Sequence, residues 1–157
     1  MITTAAFVEF KDIIVELVTS NPLNVTKMKE ITITFDGGAK PNPGKGYGSY
    51  NIRIDGNDEP FFGESEVFYG ENLTSNQSEY IAITRGCEKA MELLGKNCNV
   101  KIIGDSELVL KQITGEYRVR DEKLIPLNQK LMDRLSGFKS YSVKHRPRIE
   151  SVEEFGH

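Results

Sequence analysis

The spacing of apolar positions changes several times along the chain, and each change marks an element. Residues 4–19 carry Phe7, Phe10, Ile14 and Leu17 at steps of three and four, with Ile13 and Val18 beside them. That period predicts an amphipathic helix, and Asn21-Pro22 ends it. Residues 20–29 are polar and linker-like. From Ile31 the period falls to two: Ile31, Ile33 and Phe35 share one face of a strand over 31–35, which ends on Asp36. Residues 47–54 and 61–70 read as second and third strands, with Asp55-Gly56 as a hairpin turn between them.

A helical period then takes over. Tyr80, Ile83, Cys87, Ala90, Met91 and Leu94 fall on one stripe of a helix over 75–94, capped by Thr74 or Ser75 and stopped by Gly95. Residues 99–104 form a short apolar strand, 105–115 a helix opening on Asp105 or Ser106, and 124–136 a helix with Leu124, Leu127, Leu131, Met132 and Leu135 on one side. Residues 138–145 alternate as a fifth strand, and a last helix begins near 148. The order βββαβααβα predicts an α/β layer fold, a hairpin-built antiparallel sheet extended by parallel strands and flanked by crossover helices. The expected organisation is an N-terminal helix and linker over 1–29 and one domain over 30–157.

Composition narrows this picture only a little. The chain of 157 residues is 38% apolar and 27% charged, ordinary for a water-soluble domain with a core. No apolar run approaches the ~20 residues that span a bilayer, which predicts no membrane partner. Glu9, Lys11, Asp12 and Glu16 break what a signal peptide would need as its apolar centre. Cys87 and Cys98 lack metal-ligand spacing and read as reduced thiols of a cytosolic protein. The net charge of −3 argues weakly against nucleic acid, but "FKSYSVKHRPR" at 138–148 holds Lys139, Lys144, Arg146 and Arg148 without an acid.

Candidate chemistry lies at the element ends. Asp36 follows the first strand, Asp105 the fourth, and Glu79 sits in the first turn of the long helix. A right-handed crossover makes strands one and four neighbours, so their C-terminal ends lie side by side. Glu79 shares a helix face with Ile83, Gly86 and Ala90, and small Ala82, Gly86 and Ala90 let that helix approach the sheet. Three converging carboxylates repel one another, and a hard oxygen-seeking cation, Mg²⁺ or Mn²⁺, relieves this. The plain alternatives are Asp36 as a turn residue and Asp105 as a helix cap.

The ordered set "ITITFDGGAKPNPGKGYGSY", "ENLTSNQSEYIAI", "KIIGDSELVLKQITGEYRV" and "VKHRPR", across roughly 30–153, resembles type 1 ribonuclease H. The resemblance implies the mixed five-stranded sheet of that fold, acting as a monomer on RNA–DNA hybrids. It implies an endonuclease that hydrolyses the RNA strand with two Mg²⁺ ions, Mn²⁺ being the alternative, and leaves 5′-phosphate and 3′-hydroxyl ends. Asp36, Glu79 and Asp105 stand at the first three metal-binding positions. By the same resemblance, Gly37 and Gly38 present backbone to the RNA strand and Asn76 and Gln77 read its sugars. Asn42 and Thr74 grip a phosphate of the DNA strand, Tyr117 offers an aromatic face to that strand, and His145 assists proton transfer or product release.

The last helix departs from the pattern. Counting from His145, Ser151 takes the place of the family's Asn and Phe155 that of its fourth acid, with Glu154 one residue early and Glu153 two. One helical step turns a side chain by about 100°, so Glu154 serves as fourth ligand only with a one-residue deletion in the preceding loop. Glu154 is the candidate fourth carboxylate, and His157 is an outside possibility for that ligand position. Two other functions compete: a weakened or inactive module of this fold that binds nucleic acid, or a protein through its N-terminal helix, and a phosphoryl-transfer relative acting on other substrates.

Overall fold

A computed structural model describes residues 28–156; the helix expected over 4–19 and His157 lie outside the described residues. The elements are β1 (Lys29–Lys40), β2 (Gly44–Ile54), β3 (Phe62–Leu73), α1 (Ser75–Leu94), β4 (Cys98–Gly104), α2 (Glu107–Thr114), α3 (Ile125–Ser136), β5 (Ser140–His145) and α4 (Arg148–Phe155). One five-stranded sheet runs in the order β3-β2-β1-β4-β5. β1 pairs antiparallel with β2 and parallel with β4, so β1 and β4 are neighbours with their C-terminal ends together. This is the mixed α/β arrangement that the alternating pattern predicts.

The two faces of β1 have different fates. Ile31, Ile33 and Phe35 are buried with Tyr50 and Ile52 of β2 and Val100 and Ile102 of β4, against Tyr80, Ile83, Cys87 and Ala90 of α1. Each such aliphatic or aromatic side chain contributes on the order of 1.5–3 kcal/mol by leaving water. Thr34 and Asp36 alternate onto the other face, where both meet α4 through Glu154 and Arg148. Close approach of α1 depends on Gly86: a Cβ there would stand 2.9 Å from Ile33 Cγ2 and 3.3 Å from Tyr50 Cδ1.

One boundary departs from expectation. β1 does not end at Asp36 but continues through Gly37, Gly38 and Ala39 to Lys40, paired with Gly48, Tyr47, Gly46 and Lys45 of β2. Asp36 is therefore an interior strand residue rather than a turn. Strand pairing is a backbone property, so Gly37 facing Gly48 and Gly38 facing Tyr47 keep the ladder. Thr74 caps α1 in a full capping box, its hydroxyl accepting from Gln77 N and Gln77 Oε1 accepting from Thr74 N. Gly115 closes α2 with φ 81°, a left-handed conformation that suits glycine. Cys87 and Cys98 are both free and buried. Among the described residues no helix is long and apolar enough to cross a membrane.

Candidate metal centre and nucleic-acid groove

Asp36 is brought by β1, Asp105 by the turn after β4, and Glu79 by the first turn of α1. One carboxylate oxygen from each lies within 4.8 Å of the others. Asp36 is 1% exposed and Glu79 7%. Burial, above all, pushes the Glu79 carboxyl up to about 8; Asp105 and Asp36 push the same way, against the Ser106 hydrogen bond and Arg148. In the metal-free protein this environment favours the protonated form of Glu79 more than an ordinary carboxyl. Arg148 Nη1 bridges the other two acids, donating to Asp36 Oδ1 at 2.9 Å and to Asp105 Oδ2 at 3.0 Å.

These residues fit a hard divalent cation. The donor set is all oxygen, three strands of chain converge on it, and a positive group already bridges two of its members. Gly37 holds the geometry tight, since a Cβ there would lie 2.6 Å from Glu79 N and 2.7 Å from the Ser78 carbonyl carbon. Gly37→Ala is expected to destabilise the fold by ~1–3 kcal/mol, the usual cost of overpacking. Because the clash is with the α1 backbone at Glu79, divalent-ion affinity should fall as well. Thermal melting and Mn²⁺ titration check both, and a variant with native melting and native affinity would remove Gly37 from the account.

The other residues singled out in the sequence are distributed around this cluster. Asn42 Oδ1 accepts from Ser75 N at 3.2 Å, which places it at the N-terminus of α1 beside Thr74 and Gln77. Asn76 is half-buried in the same turn. Gly37 is partly exposed, but Gly38 is buried beneath Tyr47, whose phenol oxygen would stand 2.5 Å from a Cβ at that position. The expectation of open backbone at Gly38 is thus corrected, because the continued strand brings Tyr47 opposite it. His145 ends β5, exposed, with Nε2 3.2 Å from the Asp105 carbonyl oxygen. Tyr117 is 40% exposed, with Lys111 Nζ 4.9 Å from its ring centre.

Glu154 does not join the cluster, and the fourth-ligand expectation is corrected accordingly. Its Oε2 accepts from Thr34 Oγ1 at 2.7 Å, Asn51 Nδ2 at 2.6 Å and Arg53 Nη1 at 2.7 Å, and its Oε1 from Arg146 Nη1 at 2.8 Å. Burial alone would raise this carboxyl. The donations from Asn51, Thr34, Arg53 and Arg146 instead hold it down at about 2. Its helical position turns it onto the sheet, and four donors keep it there. Phe155, at the family's acidic position, is 9% exposed and faces the Arg146 guanidinium at 5.8 Å. Ser151 is buried and accepts from Arg146 Nε at 3.2 Å. Among the described residues the acidic group is Asp36, Glu79 and Asp105 without a member from α4.

Two participants do not read as site residues in the sequence. Ser106 reads there as a helix cap, which it is, but its side chain also bonds Glu79. Arg148 reads as one charge of a basic segment. Its position just after Pro147, opening α4, is the available signal.

The sequence and the fold are similar to those of known proteins. The reverse transcriptase-like family profile matches residues 34–152. A ribonuclease HI of Halobacterium salinarum is 32% identical over 114 residues, 73% of this chain and 55% of that protein, so the chain spans about half that relative's length. The crystal structure of RNase H1 from H. salinarum superposes with a TM-score of 0.70 at 28% identity, over 80% of this chain and 90% of that one. The compost-derived LC11-RNase H1, solved in complex with an RNA/DNA hybrid, gives 0.72 at 27% identity over 80% and 92%. The chain is a reverse transcriptase-like α/β protein by family and architecture. Within that class it belongs to the type 1 ribonuclease H family.

Proposed function

We propose that the protein is an endonuclease that hydrolyses the RNA strand of RNA–DNA hybrids, working as a monomer with two Mg²⁺ ions, or Mn²⁺, held by Asp36, Glu79 and Asp105. The observation that carries this reading is the meeting of three carboxylates from β1, α1 and the β4 turn within 4.8 Å. Bound divalent ions supply activation of the attacking water and stabilisation of the departing 3′ oxygen, giving 5′-phosphate and 3′-hydroxyl ends. The solved hybrid complex of LC11-RNase H1 supports the substrate class.

The chain's own residues bind and orient. Asp36, Glu79 and Asp105 would hold the ions as carboxylates, the form in which ligands bind. Gly37, partly exposed, presents its backbone to the RNA strand, and Asn76 and Gln77 at the α1 N-terminus read 2′-hydroxyls, which distinguish RNA from DNA. Asn42 and Thr74 hold a phosphate of the DNA strand at the same helix end, where backbone N–H groups favour anions. Tyr117 packs an exposed aromatic face against that strand. His145, beside Asp105, moves a proton or eases product release. A second reading, a hybrid-binding module with weak catalysis, is favoured by the capture of Glu154 away from the cluster.

A labelled RNA–DNA hybrid, incubated with Mg²⁺ or Mn²⁺ beside duplex DNA and duplex RNA, separates these readings. Cutting of the RNA strand in the hybrid alone is expected. Hybrid binding without cutting selects the module, and cutting of duplex DNA contradicts both.

A further inference from the structure

We propose that Arg148 is a tethered counter-ion of the acidic cluster, bridging Asp36 and Asp105 in the metal-free protein and competing with divalent ions for them. This rests on the metal-centre reading and adds a residue that nothing in that reading requires. The first observation is geometric: a single nitrogen, Nη1, lies 2.9 Å from Asp36 Oδ1 and 3.0 Å from Asp105 Oδ2. The two acids come from different strands, so the guanidinium ties together the pieces of chain that a metal ion would tie. A ligand held by the same oxygens is a competitor of the ion by simple exclusion.

The second observation is how Arg148 is held. It opens α4, directly after Pro147. That helix is anchored to β1 and β2 by Thr34, Asn51 and Arg53, which donate to Glu154, and its Ser151 and Phe155 are buried; none of these belongs to the acidic cluster. Its backbone is therefore fixed whether or not a metal is bound, and only the side chain needs to move. The third observation shows that it can. The Arg148 side chain is 57% exposed, against 1% for Asp36 and 7% for Asp105, so it covers the cluster from the solvent side. Rotation outward moves a side chain that is already more than half exposed further into solvent. Among the described residues α4 places no carboxylate in the cluster and opens on a cation beside it.

Two consequences follow. Arg148 holds the acids together without metal, and it raises the metal concentration needed to load them. The test uses the full chain, with Mn²⁺ alone as titrant in isothermal calorimetry, for wild type, Arg148→Ala, Arg148→Lys and Asp36→Asn. Arg148→Ala is expected to tighten Mn²⁺ binding by roughly fivefold or more, the lower end of ordinary coupling between exclusive ligands. Arg148→Lys should fall between it and wild type, since a lysine keeps the charge without the guanidinium fork. The metal-free Arg148→Ala protein should melt lower than wild type, and saturating Mn²⁺ should remove that difference. Unchanged or weaker Mn²⁺ binding in Arg148→Ala, alongside wild-type binding that Asp36→Asn abolishes, overturns this inference and leaves the metal centre standing. Mn²⁺ binding that survives Asp36→Asn, or is absent from wild type and Arg148→Ala alike, overturns both.

Discussion

Asp36→Asn is expected to abolish hybrid cleavage while leaving the fold intact. The substitution keeps the shape of a side chain that is 1% exposed, so packing against the sheet is preserved. It removes a ligand charge from a cluster whose members repel one another, which costs the metal-free protein little. The lost pair with Arg148 is screened, because that guanidinium is 57% exposed. Metal binding loses one of three carboxylates, and cleavage should fall by at least the ~100- to 1000-fold typical of deleting one preorganised electrostatic contact in a transition state. Single-turnover cleavage of a labelled hybrid, with a melting curve beside it, checks both halves. Activity within a few-fold of wild type would move the chemistry elsewhere.

Glu154→Ala should do the reverse, with its main effect on stability. The carboxylate is the common acceptor of Thr34, Asn51, Arg53 and Arg146, with side-chain exposures of 12% for Glu154 and 10% for Arg146. Arg146 Nη2 is already buried without a partner. Removing the acid leaves two guanidinium groups facing each other, which typically costs ~3–5 kcal/mol. The melting temperature should fall by about 10 °C or more. Glu154→Gln keeps the shape and part of the bonding and should lose less. The same carboxyl gives a pH signature. Held at about 2 in the fold against an ordinary 4.5, it contributes stability that is complete above pH 4.5 and is lost as pH falls from there toward 2. Acid unfolding should therefore be less steep in Glu154→Gln than in wild type. A Glu154→Ala protein with native stability but no Mn²⁺ affinity would restore Glu154 to the metal site.

Much of the site was legible because it rests on local rules. Alternation put Ile33 and Phe35 on one face of β1 and left Asp36 on the other. Thr74 or Ser75 reads as the cap that starts α1, which places Glu79 in its first turn, and the structure settles on Thr74. The neighbouring of β1 and β4 followed from crossover handedness. What escaped was non-local. The continuation of β1 through Gly37 and Gly38 depends on pairing with Gly48 and Tyr47 of the next strand. The fate of Glu154 depends on Thr34, Asn51 and Arg53, more than a hundred residues earlier, which a helical register cannot reveal. Arg148 looked like a surface charge because its partners are brought by two other strands.

Anomalous diffraction from Mn²⁺-soaked crystals tests the central claim most directly. The account predicts manganese peaks coordinated by the carboxylates of Asp36, Glu79 and Asp105, with the Arg148 guanidinium displaced from between the two aspartates. Manganese bound elsewhere, with that guanidinium still bridging Asp36 and Asp105 in a protein that cuts hybrid RNA, would contradict it.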